Sequence, residues 1–224
     1  FILDVVNQYL ALIEGSEEDK KKIIRRYATA IVNDLKSQIY ASKEESTEFV
    51  FKVQKDLITF GTFMKNMKAD GRLYFKKEVS DKKNIRNYLF GGYKKSYYPE
   101  NAFDSDDERR LSVILEEDKE VIRFIKPPLN QLGLFYKAAK QYTPDFLVET
   151  KDKKYMIEVK ATNQTDTEEV HEKARAAMKW CDCASKVDAD GKTWEYRLIP
   201  GDKIIVGNTL KYVAGLAVAI STED

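Results

Sequence analysis

Histidine, cysteine and proline are scarce in this chain of 224 residues, with one His, two Cys and five Pro, and no proline occurs before Pro99. His171, Cys181 and Cys183 fall short of the four ligands a structural zinc site takes, which leaves zinc without a ligand set. Cys181 and Cys183 stand too close together in a helical pattern to form a relaxed disulfide, so a secreted disulfide framework is excluded. They read as two semi-buried thiols in a reducing compartment, and the expected location is cytoplasmic. Charge of one sign is also lacking: 38 Lys and Arg against 37 Asp and Glu leave a net charge of +1. That balance, with 13 Tyr and 11 Phe, excludes global disorder and gives the whole chain no electrostatic pull toward nucleic acid. No apolar run approaches the roughly 18–20 residues of a membrane span, and the apolar tail Val213–Ile220 is far too short. Residues 1–14 have neither a basic n-region nor a small-residue cleavage site, so no signal peptide and no membrane partner are expected. The chain opens on Phe1 rather than Met, which reads as a piece of something larger.

What is present suffices for one sizeable core, or for one core plus a small helical extension: 43% of residues are hydrophobic. Residues 1–64 carry a helical period. Ile2, Val5, Val6, Tyr9, Leu10 and Ile13 form one face, Gly15 closes it, Ser16 with Asp19 starts a second helix, and Ile23, Ile24, Tyr27, Ile31 and Leu35 continue it. Phe49–Met64 repeats the pattern less cleanly. Lys65–Lys95 is locally basic, with Lys76, Lys77, Lys82 and Lys83 among its cations and Tyr74, Phe75, Tyr88, Phe90 and Tyr93 among its aromatics, and Tyr97 and Tyr98 follow directly. Such a mixture suits a phosphate backbone and exposed bases; the competing reading is a solvated loop with ordinary core aromatics. Leu73–Val79 reads as a short strand.

From Ala102 the pattern turns α/β. Phe103–Asp118 reads as a helix, and Val121–Ile125 as a strand stopped by Pro127-Pro128. Leu132–Tyr136, Phe146–Glu149, Tyr155–Lys160, Trp194–Ile199 and Ile204–Val206 read as further strands. Glu168–Lys186 reads as a long helix, and Leu210–Ala219 as either a helix or a strand. This order fits one mixed sheet covered by helices on both faces.

Chemistry concentrates in the hairpin Tyr142–Ala161. Pro144-Asp145 opens its first strand; Glu158 and Lys160 share one face near the end of its second, and the pairing brings Asp145 beside Glu158. Two carboxylates about 4 Å apart repel by roughly 4 kcal/mol at an effective dielectric near 20, and a divalent cation offsets that repulsion. Hard oxygen ligands favour Mg²⁺ or Mn²⁺. Lys160 can orient a water or meet the charge that develops on a phosphodiester. Glu-x-Lys alone is cheap, recurring at Glu18–Lys20, Glu117–Lys119 and Glu149–Lys151; at Glu158 it closes the second apolar strand of a hairpin whose first strand opens on Pro-Asp.

Pro144-Asp145 with Glu158-Val159-Lys160 resembles the signature of the PD-(D/E)xK nuclease superfamily. Further runs extend the likeness: Phe103-Asp104-Ser105 with Glu108-Arg109, Tyr142-Thr143 before the motif, Lys173–Ala177 with Trp180-Cys181, and Trp194–Tyr196 to Ile199-Pro200. Over residues 70–215 these resemble the C-terminal endonuclease domain of the Res subunit of type III restriction enzymes. The resemblance implies a restriction-endonuclease-like α/β fold, a mixed central sheet flanked by helices, with an N-terminal helical extension. The expected organisation is a helical extension over 1–68, a basic and aromatic connecting segment over 69–100, and a nuclease domain over 101–224. It implies a Mg²⁺-dependent endonuclease, Mn²⁺ being possible, that hydrolyses double-stranded DNA. Asp145, Glu158 and the Val159 carbonyl would hold the metal, Lys160 would be the catalytic lysine, and Glu108 the acidic residue on the first core helix.

Glu108 has a second reading, since Ser105-x-x-Glu108 is a capping box. Lys173 and Arg175, with Lys76, Lys77, Lys82 and Lys83, would touch DNA. A DNA-methyltransferase subunit would be the partner of the full-length enzyme, and ATP would act only through an upstream motor; this chain has no Gly-x4-Gly-Lys-Ser/Thr loop. The alternatives are another nuclease of the superfamily, such as a repair nuclease, or a non-catalytic DNA- or protein-binding module.

Overall fold

The computed structural model describes residues 11–12, 15–41, 71–129, 131–132, 134–137 and 140–221. The chain divides into two compact units, Phe1–Val50 and Phe51–Asp224. In the first, helix α1 (Glu17–Ala41) starts at Ser16, whose hydroxyl accepts the Asp19 N–H at 3.2 Å while the Asp19 carboxylate accepts the Ser16 N–H at 3.3 Å. The expected helices over residues 1–10 and 42–64 lie outside the described residues.

The second unit is mixed α/β. Its described strands in chain order are β1 (Arg72–Tyr74), β2 (Leu89–Gly91), β3 (Glu100–Asn101), β4 (Val121–Ile125), β5 (Leu134–Lys137), β6 (Lys140–Tyr142), β7 (Phe146–Thr150), β8 (Lys153–Lys160) and β9 (Thr193–Pro200). Its helices are α2 (Asp106–Glu117), α3 (Glu168–Val187) and α4 (Leu210–Gly215). The main sheet runs β4-β7-β8-β9. The β4–β7 and β7–β8 pairs are antiparallel and the β8–β9 pair is parallel. Two small sheets, β1-β2-β3 and β5-β6, accompany it.

Strand alternation sends successive side chains of β7 and β8 to opposite faces, and two cores result. Phe146, Val148, Ile157 and Val159 pack with Leu111, Ile114 and Leu115 of α2, with Phe90 and Phe103, and with Val213 of α4. Met156, Tyr196 and Leu198 pack on the other face with Val170, Ala174, Ala177 and Cys181 of α3 and with Leu134 and Tyr142 of β5 and β6. Both cysteines are free thiols, Cys181 buried and Cys183 half-buried.

Three sequence expectations need correction. The strand read over Leu73–Val79 is confined to Arg72–Tyr74, and a turn at Phe75-Lys76 ends it. Ile204–Val206 is not a strand: a 3-10 turn spans Gly201–Lys203, Ile204 is buried, and Ile205 and Val206 are exposed. The Ile204 carbonyl is spent on the Arg110 guanidinium rather than on a ladder, and Gly207 turns the chain at φ 99°. Leu210–Ala219, open between two readings, is a helix only over Leu210–Gly215, capped by Thr209. The same Arg110 fixes the start of α2. It bonds the Gly201 carbonyl at 3.1 Å and the Asp107 carboxylate at 2.5 Å, docking the helix against the end of β9. Gly201 allows this close approach, because a Cβ there would collide with the Asp107 side chain and force it to shift.

Candidate active site

The site forms where β7 begins and β8 ends. The β7–β8 register pairs Phe146 with Ile157 and Leu147 with Met156. One step further places Asp145 directly across from Glu158, and directly opposed side chains share a face with Cβ atoms about 4.5–5.5 Å apart. The backbone ladder has stopped there, and the Asp145 carboxylate replaces it by accepting the Val159 N–H on Oδ2 at 2.8 Å. In an extended strand the N–H and C=O of one residue point to the same edge, so the Val159 carbonyl faces that edge too. β8 is an internal strand of the sheet, with β7 on one side and β9 on the other.

Glu158 is buried, with its side chain 6% exposed. Lys160 Nζ donates to its Oε1 at 2.6 Å, and the Tyr142 hydroxyl donates to its Oε2 at 2.7 Å from the α3 side of the sheet. Glu108, also buried, sits in the first turn of α2 and does what a capping residue does. Its N–H bonds the Ser105 hydroxyl at 3.2 Å, and its carboxylate accepts the Asp104 N–H at 3.1 Å and the Ser105 O–H at 3.2 Å. The same carboxylate accepts Lys126 Nζ at 2.8 Å. Lys126 also lies 3.9 Å from Asp145 Oδ1 and 3.6 Å from Asp104, so it joins the helix acid to the hairpin acid.

These contacts set the electrostatics. Burial pushes the Asp145 carboxyl well above its usual range, and the Glu158 charge pushes it further; Lys126 and the Val159 N–H only partly offset this. Burial works against the Lys126 ammonium, but Asp145, Glu108 and Asp104 outweigh it and push its pKa up to about 12. Lys160 is raised in the same way, burial opposing its charge and Glu158 and Asp145 supporting it. Burial first, then Glu158, holds the Tyr142 hydroxyl well above its ordinary value, so it stays a donor.

Among the described residues no three Asp, Glu, His or Cys side chains come together as a metal cage. The available donor set is therefore two carboxylates and a carbonyl, from Asp145, Glu158 and Val159. Hard oxygen donors around a buried carboxylate short of positive charge fit a divalent ion such as Mg²⁺ or Mn²⁺, with water completing the shell.

Residues 118–186 match the model for the TnsA-like endonuclease N-terminal domain. This part of the chain is similar to a nuclease of the restriction-endonuclease-like, PD-(D/E)xK fold. The matched stretch holds Asp145, Glu158, Val159 and Lys160 and excludes Glu108. No curated protein matches the chain. No helix among the described residues is long and apolar enough to cross a membrane.

The residues expected to touch DNA do not gather into one patch. Lys76 pairs with Glu117 and Lys82 with Asp106 at 3.3 Å, while Lys77 and Lys83 are exposed. Lys173 pairs with Glu169 at 2.8 Å and covers the Tyr136 ring, and Arg175 pairs with Glu168 at 3.0 Å. The first group lies near α2 and the second on α3, which packs on the opposite face of the sheet. Glu149, in phase with Asp145 along β7, is neutralised by Arg123 and Lys192. Lys126 and the role of Tyr142 had no sequence signal beyond a lysine before two prolines and a tyrosine before the motif.

Proposed function

We propose that this chain carries a divalent-metal-dependent endodeoxyribonuclease, with Mg²⁺ as the working ion and double-stranded DNA as substrate. The observation that carries the reading is the Asp145 carboxylate, bonded to the Val159 N–H at the register position opposite Glu158, with Lys160 on the Glu158 oxygen. Asp145, Glu158 and the Val159 carbonyl would hold the metal. The ion, when bound, acidifies a water and stabilises negative charge on the scissile phosphate. Tyr142 holds the Glu158 plane from behind. Lys160 is half-buried and keeps its charge, so it is placed to orient the attacking water or to meet charge on the phosphate as that charge develops. Glu108 acts by anchoring α2 and Lys126 against Asp145.

The finer assignment is the C-terminal nuclease domain of a type III Res subunit, with a methyltransferase partner and an ATP-driven motor upstream. It is supported by the runs Phe103–Arg109 and Trp194–Pro200, which lie outside the stretch matched to the TnsA-like domain. The test of the metal-centre reading is calorimetric titration of Mn²⁺ into the chain and into Asp145→Asn, beside plasmid nicking with and without EDTA. The expected outcome is Mn²⁺ binding that Asp145→Asn abolishes and nicking that EDTA stops. Equal binding by both proteins would remove the metal site.

A further inference from the structure

We propose that Lys126 is the resident counter-cation of this acidic site and that a divalent ion binds by displacing it from Asp145. The inference rests on the metal-centre reading above and adds a residue and an order of events to it.

Lys126 directly follows β4 and precedes Pro127-Pro128, whose fixed φ angles stiffen the segment that carries it. Its ammonium faces three carboxylates at once: Glu108 at 2.8 Å, Asp104 at 3.6 Å and Asp145 at 3.9 Å. These contacts divide unequally. The Glu108 contact is a hydrogen bond, whereas the Asp145 contact is beyond hydrogen-bond length and holds by charge alone. Asp145 Oδ2 is committed to the Val159 N–H, so Oδ1, the oxygen that Lys126 approaches, is the one left for a metal. Glu158 has both oxygens bonded, to Lys160 and to Tyr142. An ion entering between the two carboxylates therefore meets its weakest opposition at the Lys126–Asp145 contact. Lys126 has room to withdraw, since it lines a cavity of about 230 Å³ together with Asp104, Pro144 and Asp145. It can retreat there and keep its bond to Glu108.

A cation held close to a metal ligand opposes the metal electrostatically and supports the fold when the metal is absent. Neutralising Lys126 should thus weaken the metal-free protein and tighten the metal. The test uses the full chain, stripped with EDTA, dialysed and titrated with Mn²⁺ at about pH 8, where carboxylates are driven toward their charged form. Lys126→Met keeps the aliphatic stem and removes the charge. Its metal-free melting temperature should fall, its Mn²⁺ dissociation constant should drop on the order of tenfold, and its melting temperature should rise more on Mn²⁺ addition than the parent's. Lys126→Arg keeps the charge on a planar fork that grips both carboxylates, and it should bind Mn²⁺ several-fold more weakly.

Parent binding that neither variant changes overturns the counter-cation role and leaves the metal site standing. Weaker binding by Lys126→Met also overturns the role. No binding by the parent or by Lys126→Met overturns both readings together. If Lys126→Met does not fold, Lys126→Arg decides, and an unaltered affinity counts against the proposal.

Discussion

Removing the charge from Asp145 should stabilise the metal-free protein while destroying its metal site. Asp145→Asn keeps the side-chain shape and keeps an oxygen to accept the Val159 N–H now bonded at 2.8 Å. It removes a carboxylate whose charged form the fold disfavours through burial and the opposed Glu158. Repulsion between two carboxylates about 4 Å apart is roughly 4 kcal/mol at an effective dielectric near 20. The Lys126 attraction at 3.9 Å, which the substitution also deletes, cancels part of that. A net gain of roughly 1–3 kcal/mol is expected, corresponding to about 3–9 °C in melting temperature for a unit of this size.

The pH dependence follows with a definite sign. A carboxyl raised in the native state binds more protons there than in the unfolded chain, so the parent's metal-free stability falls as pH rises through the native value. Asp145→Asn should lack that fall. Mn²⁺ at about a thousand times the dissociation constant should reverse the ranking, because only the parent gains binding energy, about 4.1 kcal/mol. The assay is thermal and urea unfolding of both proteins from about pH 5 to 8.5, in EDTA and in Mn²⁺. A variant less stable than the parent in EDTA, or equally stabilised by Mn²⁺, would refute the electrostatic reasoning.

Tyr142→Phe deletes the hydroxyl that donates to buried Glu158 at 2.7 Å, and should cost about 1–2 kcal/mol in urea unfolding and loosen Mn²⁺ binding measured by calorimetry. Charge reversal at Lys76, Lys77, Lys82 and Lys83 should flatten the salt dependence of DNA binding, read by fluorescence anisotropy across a salt series. An unchanged slope would leave Lys76 and Lys82 as partners of Glu117 and Asp106, and Lys77 and Lys83 as solvated surface lysines.

The hairpin was readable in sequence because three local signals agree there: Pro144-Asp145 at a strand start, apolar runs on both arms, and a polar turn in which Thr150 closes on Lys153. The helix Asp106–Glu117 was readable through its period and its Ser105 cap. Strands β2 and β3, of 3 and 2 residues, are too short to show a period and form through pairing between Phe90 and Asn101. Ile204–Val206 has strand composition, yet Arg110, 94 residues away in the chain, takes the Ile204 carbonyl. The same limit hid Lys126 and Tyr142. Their partners Glu108 and Glu158 lie 18 and 16 residues away, and nothing local marks a lysine or a tyrosine as facing a carboxylate across a sheet end.

Lys160 gives the most direct test of the nuclease account, because it separates catalysis from binding. The measurement is Mn²⁺-dependent nicking of supercoiled plasmid by the parent and by Lys160→Ala, at protein concentrations adjusted to equal DNA occupancy. If Lys160 meets charge that develops only during cleavage, losing about 3–4 kcal/mol of that stabilisation should slow nicking on the order of 10²–10³-fold while DNA affinity changes little. Nicking by Lys160→Ala at the parent's rate would contradict the account, as would no nicking by the parent when it is loaded with Mn²⁺ and bound to DNA.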